Sequence, residues 1–219
     1  MHRHLVPALV LTLTLAGWTA VQAAPILDQS FNPPYGFQYA QLSDLYRAQT
    51  FTVGRAGLLS DFAVLIESLG VFGGSPVFDI YDWGAGFPGA APLASVSITL
   101  LDDASPAWYK TDISASGLAV APGEVYAIVY RPATVVGNAP YWVGDRNPTT
   151  PGEWGTGDYA GGASYYAPAG GSPWLPTGDD LGFRTWVNDG AGPPAPIPEP
   201  ASLILLGTGL AGLARRRRR

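Results

Sequence analysis

The sequence predicts an all-β fold, an antiparallel β-sandwich, on three observations. Short runs rich in Val, Ile, Thr, Phe, Tyr and Trp recur between clusters of Gly, Pro, Asn and Asp, the pattern of strands joined by turns. Between these punctuating clusters a 3.6-residue apolar period is nearly absent, which disfavours helices. About nine such runs fall within about 140 residues, the density of a two-sheet sandwich.

The first element in chain order is not a strand. Met1 to His4 carries Arg3, Leu5 to Gly17 is apolar apart from two threonines, and Val21-Gln22-Ala23-Ala24 comes next. A basic start, an apolar run and small residues before a cut make a signal peptide, residues 1–23, for the Sec export machinery and signal peptidase. Cutting after Ala23 is favoured because cutting one residue later would leave Pro25, with its fixed ring, at the first mature position.

Residues 25–190 form the exported domain. Strands are expected near Arg47 to Val53, Leu58 to Glu67, Val77 to Asp82, Leu93 to Leu101 and Ala107 to Ile113. Four more are expected near Glu124 to Arg131, Pro140 to Val143, Tyr159 to Tyr166 and Leu181 to Val187. In Val77-Phe78-Asp79-Ile80-Tyr81-Asp82 and Val125-Tyr126-Ala127-Ile128-Val129-Tyr130, β-branched and aromatic residues dominate, as in strands packed on both faces. Pro122-Gly123 stands just ahead of the second of these and marks a turn. No repeat of 20 to 50 residues is visible, which disfavours solenoids and propellers.

After the domain comes a proline-rich spacer, residues 191–197, continuing through Pro198-Glu199-Pro200; it favours extended polyproline backbone and cannot be helical. Ala201 to Ala214 then reads ASLILLGTGLAGLA without a charge, and Arg215, Arg216, Arg217, Arg218 and Arg219 close the sequence. This apolar run would span roughly 21 Å as a helix against a bilayer core of roughly 30 Å, so insertion is marginal. Snorkelling arginines and local thinning make up part of the difference, and positive charge stays in the cytoplasm. The segment reads as a temporary inner-membrane anchor, a short transmembrane helix.

This tail, with Pro198, Glu199 and Pro200 ahead of an apolar helix and an arginine cluster over residues 198–219, resembles the PEP-CTERM sorting signal of Gram-negative bacteria. The resemblance implies an exosortase partner, a membrane-embedded cysteine protease-transferase that reads Pro198, Glu199 and Pro200 and removes the helix and the arginines. It also implies an association with exopolysaccharide and biofilm. Ile197 stands where valine is common before the motif. The order of segments between residues 47 and 187 is similar to choice-of-anchor surface domains, through Gln49-Thr50-Phe51-Thr52-Val53, "PVFDIYDW" with "GFPGAAPLAS", "LAVAPGEVYAIVY", "YAGGASYY" and "DDLGFRTWV". That resemblance implies a jelly-roll-like sandwich, similar in outline to carbohydrate-binding modules, and carries over no catalytic residue.

Composition narrows the chemistry. The chain holds no Cys, and its only His and Met residues are Met1, His2 and His4. The exported part therefore cannot build a Ser-His-Asp triad, a Cys nucleophile, a zinc or haem site with side-chain N or S ligands, or a disulfide. Between residues 25 and 197, six basic residues face sixteen acidic ones, a formal charge of −10; such a surface repels nucleic acid.

Three candidate sites remain. Trp154 and Trp174 lie in Gly/Pro-rich segments and would suit a stacking platform for sugar rings, whereas Trp142 and Trp186 are expected between the sheets. Asp179 with Asp180, and Asp102 with Asp103, offer oxygens for calcium, although adjacent acids beside Gly178 are more often turn formers. Paired carboxylates could serve glycoside hydrolysis, but nothing in the sequence selects a pair. The leading expectation is an exported, exosortase-sorted surface or matrix protein with a structural or adhesive role, no catalytic residue and no required cofactor. The alternative is a carbohydrate-binding module using exposed aromatics on exopolysaccharide; a glycan-active enzyme comes third.

One outcome rests on composition alone. With the signal peptide removed no Cys or His remains, so reductant and zinc chelators should leave the melting temperature unchanged. A fall of several degrees under either in a thermal melt would contradict this, because a ligand bound only by the folded state stabilises it by mass action.

Overall fold

The computed structural model describes residues 24–33, 37–41, 45–68, 72–73, 75–101, 105–131, 136–137, 140–145, 159–168 and 171–190. The first eight strands are β1 (Ile26–Phe31), β2 (Phe37–Gln41), β3 (Tyr46–Thr52), β4 (Gly57–Glu67), β5 (Phe72–Gly73), β6 (Val77–Gly84), β7 (Phe87–Pro88) and β8 (Ala94–Ser97). The next eight are β9 (Ala107–Asp112), β10 (Ala119–Val120), β11 (Val125–Arg131), β12 (Val136–Gly137), β13 (Tyr141–Gly144), β14 (Ser164–Ala167), β15 (Leu175–Pro176) and β16 (Phe183–Asn188). They form two seven-stranded antiparallel sheets. One, sheet A, runs β1-β16-β4-β13-β2 with β9 and β10 also on β4; the other, sheet B, runs β15-β14-β3-β11-β6-β7 with β8 on β6. A two-stranded ribbon pairs β12 with β5. The all-β antiparallel sandwich read from the sequence is the observed fold.

Strand β4 is the spine of sheet A. Its eight residues Leu59 to Ile66 are all buried. It pairs with β16 along Leu58 to Val64 and with β9 along Asp61 to Ile66. Leu59, Phe62, Val64 and Ile66 all enter the core between the sheets, yet Leu59 and Phe62 are out of phase for a regular period-two strand. The register against β16 slips here, with Asp61 opposite Trp186 and Leu59 opposite Val187. Ser60 is thus the extra residue of a β-bulge, and the bulge brings Leu59 and Phe62 to the same inner side;. Its hydroxyl donates to Asp61 Oδ2 at 2.7 Å, which stitches the distortion.

Sheet B supplies the facing half of the core through Phe51, Val53, Phe78, Ile80, Tyr126, Ile128 and Tyr130. Trp142 of β13 sits at 0% exposure. Its ring meets Phe78 edge to face at 5.3 Å, and its Nε1 donates to the Gly182 carbonyl at 2.9 Å. The buried indole therefore keeps its polar atom satisfied, as burial requires.

The outer face of β4 is also dry. Ala63 at 1% and Leu65 at 7% exposure lie under Trp108, Lys110, Arg184 and Trp186 from the neighbouring strands. Arg184 lies 4.0 Å over the Trp108 ring and Lys110 4.3 Å over the Trp186 ring, with Lys110 also paired to Asp61 at 3.2 Å. The Lys110 side chain stays 48% exposed, and the long stems and the aromatic partners cover apolar surface;.

Several expectations are corrected. Trp186 is not between the sheets: it lies with Arg184 on the outer face of β16, since Phe183 and Val187 take the inner positions. The strand expected at Leu93 to Leu101 shortens to Ala94–Ser97. The strand expected from Tyr159 shrinks to Ser164–Ala167 because Gly161 and Gly162 turn the chain first. Seven strands are absent from the sequence reading: the longer β1 (Ile26–Phe31) and β2 (Phe37–Gln41), and the two-residue strands β5, β7, β10, β12 and β15. β1 lacks alternation because Asp28 is itself a bulge against β16, its carboxylate accepting the Gly54 N–H at 3.1 Å. The signal peptide 1–23, the spacer 191–197 and the tail 198–219 lie outside the described residues.

The two tryptophans separate interior from outer face. Trp142→Ala should cost about 3–5 kcal/mol, whereas Trp186→Ala, which loses mainly a cation–π contact and partial cover, should cost about 1 kcal/mol. Urea midpoints of the two variants, at unchanged slope, measure the difference; equal losses would misplace one of them.

Candidate functional site

Two features stand out once the core is set aside: a buried polar clasp between the sheets, and an aromatic face on the outside of sheet B.

The clasp forms because Gln49 shares the inward side of β3 with Phe51, so a polar side chain enters the space between the sheets. There its Nε2 donates to Asp180 Oδ1 at 2.9 Å and its Oε1 accepts the Leu181 N–H at 2.7 Å. Asp180 Oδ2 accepts the Tyr159 N–H at 3.0 Å, and the Asp180 N–H donates to Asp145 Oδ1 at 2.8 Å. Ser164 Oγ donates to Asp179, whose Oδ1 lies 2.9 Å away, and makes a short contact with the Thr177 hydroxyl. Asp145, Asp179 and Asp180 are exposed by only 5%, 4% and 1%. Burial pushes the Asp180 carboxyl above its ordinary value; the Asp145 and Asp179 charges push the same way, against the Gln49 and Tyr159 donors that favour the ionised form;.

Asp179 and Asp180 are thus brought together, but as a hydrogen-bonded clasp. Both oxygens of Asp180 already accept N–H groups of the protein. Among the described residues no group of three or more acids is arranged to hold a metal ion. Asp102 and Asp103 lie outside the described residues.

The aromatic face collects Tyr46, Tyr81, Trp83, Tyr165 and Trp174 around Ala48, Ala127, Val129 and Ala167. Small residues on the central strands β3 and β11 leave room for large rings carried by β6, β14 and the segment before β15. Trp174 is not an open platform: it is 8% exposed and meets Trp83 edge to face at 5.5 Å and Tyr46 at 6.1 Å. The glycines and prolines around it shape a turn that lays its ring down on the sheet. Trp154 lies outside the described residues.

The residues that do line an open groove are Trp83 and Tyr165, part-exposed, with ring centroids 4.8 Å apart. Trp83 is not among the sequence-derived candidates, although alternation in Val77-Phe78-Asp79-Ile80-Tyr81-Asp82-Trp83 already puts Tyr81 and Trp83 opposite the core residues Phe78 and Ile80. Tyr165 stands in a stretch so crowded with aromatics that nothing local singles it out. The groove has a volume of about 510 Å³ and is lined by Thr50, Thr52, Val125 and, packed against Thr50, Gly162. That packing is close: a Cβ on Gly162 would collide with the Thr50 carbonyl oxygen, so only glycine fits;. Thr50 Oγ1 donates to the Ala163 carbonyl at 2.9 Å, and Thr52 Oγ1 donates to the Gly161 carbonyl at 2.7 Å.

Comparison with known proteins bears on the carboxyl end. Residues 196–219 match the model of the PEP-CTERM protein-sorting motif, which takes in Pro198, Glu199, Pro200 and Arg215 to Arg219. No curated protein matches the chain. The chain therefore carries a PEP-CTERM sorting signal, the mark of an exported protein that passes to an exosortase while held in the inner membrane of a Gram-negative cell.

The clasp makes a prediction in pH. An acid whose pKa is raised on folding contributes stability that is present below its unfolded value, about 3.9, and lost as pH rises through the folded value. Asp180→Asn should remove that slope. It should also lower stability by about 1–3 kcal/mol at every pH, because its NH₂ cannot accept the donor that the lost oxygen held. Urea unfolding from pH 4 to 7 tests both, and a variant as steep in pH as the parent would contradict the assignment.

Proposed function

We propose that this protein is a non-catalytic component of the cell surface or extracellular matrix, with a structural or adhesive role linked to exopolysaccharide and biofilm. The observation that carries the proposal is the PEP-CTERM motif over residues 196–219. The export machinery and signal peptidase would act at the amino end and the exosortase at the other.

The physical sequence of events is set by the tail. Five arginines resist translocation, the 14-residue apolar run of Ala201 to Ala214 is marginal as a span, and the proline-rich composition before it favours extended backbone;. The parts are arranged to stall in the inner membrane with Pro198, Glu199 and Pro200 just outside it. A stalled chain with an extended motif is an accessible protease substrate. Removal of the helix and arginines then frees the domain for delivery to the outer surface.

The non-catalytic reading is supported by the disposition of the acids. Among the described residues, those that converge, Asp145, Asp179 and Asp180, are buried and engaged in hydrogen bonds that tie the two sheets together. A glycosidase needs its two carboxylates facing an open cleft. Among the described residues, no carboxylate lines the groove of Trp83 and Tyr165.

Processing is directly measurable. Cells with an exosortase should release a form lacking Arg215 to Arg219, and cells without one should keep the full tail in the inner membrane. Glu199→Ala should block the cut without changing the melting temperature of the domain. Mass spectrometry of the surface fraction decides it: an intact penta-arginine terminus from exosortase-positive cells would refute the sorting reading.

A further inference from the structure

We propose that the groove on the outer face of sheet B, lined by Trp83, Tyr165, Thr50, Thr52 and Val125, binds an uncharged glycan chain. The proposal deepens the adhesive role and rests on that reading for the protein's arrival at a surface where glycans are present.

Four observations identify the ligand class. First, the groove is shallow and about 510 Å³ in volume, within the range of roughly 300–1,000 Å³ of ligand sites. Second, two part-exposed rings, Trp83 and Tyr165, line the groove together with centroids 4.8 Å apart and planes tilted by 43°. An aromatic face offers an apolar, electron-rich plane, and a pyranose has one face made of axial C–H groups and a rim of hydroxyls. Trp83 is held from behind by Trp174, edge to face at 5.5 Å, so little rotamer freedom is lost when a sugar stacks on it;.

Third, among the described residues no Asp, Glu, Lys or Arg lines the groove, although the exported part of the chain carries sixteen acids against six bases. An anionic polysaccharide would meet no cation from these residues in the groove and a negative field around it. A neutral chain meets neither difficulty.

Fourth, the lining offers an acceptor at Thr52, whereas the Thr50 hydroxyl also accepts the Ala163 N–H at 2.7 Å and Val125 is apolar. Thr50 and Thr52 both spend their hydroxyl protons on loop carbonyls, of Ala163 and Gly161, so what Thr52 presents outward is a lone pair. A sugar hydroxyl donates to such a group. A proline-rich peptide, the other ligand that aromatic grooves commonly hold, brings carbonyl acceptors and few N–H donors, and would leave its polar groups unmatched here. The rim agrees with a cleared approach. Ala85 stands at φ +53°, followed by Gly86 at φ +82°, in a turn where Asn or Asp is the usual residue. Alanine accepts the strain and keeps a polar side chain out of the groove mouth.

The experiment uses the exported chain with its tail, in a polyoxyethylene detergent that has no sugar headgroup. Affinity electrophoresis is run in gels containing dextran, hydroxyethyl cellulose, laminarin, galactomannan or alginate. At least one neutral polysaccharide should retard the protein and alginate should not. Trp83→Ala should weaken that retardation tenfold or more. Thr52→Val, which keeps shape and all aromatic packing, should weaken it several-fold while the melting temperature moves by no more than a few degrees; should Trp83→Ala fail to fold, Thr52→Val decides. Retardation by alginate alone, by no polysaccharide, equally in Thr52→Val and the parent, or displacement by a peptide of residues 191–200 would each overturn the proposal. Sorting is read separately from the mass of the carboxyl terminus. A processed tail without glycan binding sinks this inference and leaves sorting intact, and binding with an unprocessed tail does the reverse.

Discussion

A central strand with no wet face sets the terms for the rest of this molecule. From Leu59 to Ile66 every residue of β4 is buried, so sheet A needs cover on both sides while only one side has a partner sheet. The inner side is solved by hydrophobic packing against Phe51, Phe78 and Ile128. The outer side is solved by tryptophans and long cations laid across Ala63 and Leu65. The small Ala63 makes this workable: it stands between Arg184 and Lys110 in register, and its missing bulk lets each cation reach diagonally to a tryptophan on the opposite neighbour. Sheet B repeats the arrangement on its own outer face, where Ala48 and Ala127 floor the ring cluster. The same device therefore yields a closed face on one side, capped by charge, and an open groove on the other, where Trp83 carries no such cap among the described residues.

The two sheets are held at one end by polar groups. With no cysteine in the chain, an exported domain of this size has no covalent staple, and the Gln49–Asp180–Asp145 clasp occupies the place where a bridge between sheets would act. Such a clasp is asymmetric in its energetics. Fully satisfied it adds modest net stability, but removing any member leaves the others buried and unpaired. Gln49 and Asp180 therefore contribute more to which strand faces which than to the depth of the free-energy minimum. The Tyr159 N–H bound to Asp180 also fixes the turn whose Gly162 lines the groove. The clasp thus positions the groove, through backbone rather than through side-chain contact.

How much of this was legible depended on whether a residue's neighbours in sequence are its neighbours in the sheet. Strands such as Val125–Arg131 and Val77–Gly84 are readable because β-branched and aromatic residues fill both of their faces between turn signals;. β1 is not, because the bulge at Asp28 breaks alternation in a six-residue strand, and nothing local distinguishes that from a loop. The bulge at Ser60 is invisible for the opposite reason: β4 is apolar enough on both faces to read as a strand in either phase. Trp174 misleads because its Gly/Pro context says only that the chain turns, and a turn can lay a ring on the sheet as readily as hold it out. Trp83 and Tyr165 were recoverable in part. Their parity was in the sequence, whereas their approach to 4.8 Å depends on β14 and β6 flanking the central strands β3 and β11 from opposite sides, which is topology.

Separation of roles between domain and tail has its origin in their physical chemistry. The domain is acidic and holds no cysteine; the tail is uncharged and then strongly basic, and the stretch between them is rich in proline. Opposite charge on the two parts would favour collapse of one onto the other in free solution, where five arginines and a formal charge of −10 attract;. On the proposed sorting route a membrane would separate the two charges, because positive residues resist translocation. Under the proposed processing, loss of the arginines would leave an acidic domain whose groove is uncharged among the described residues. Any adhesion at that groove then has to come from stacking and hydrogen bonds, interactions that salt leaves nearly untouched.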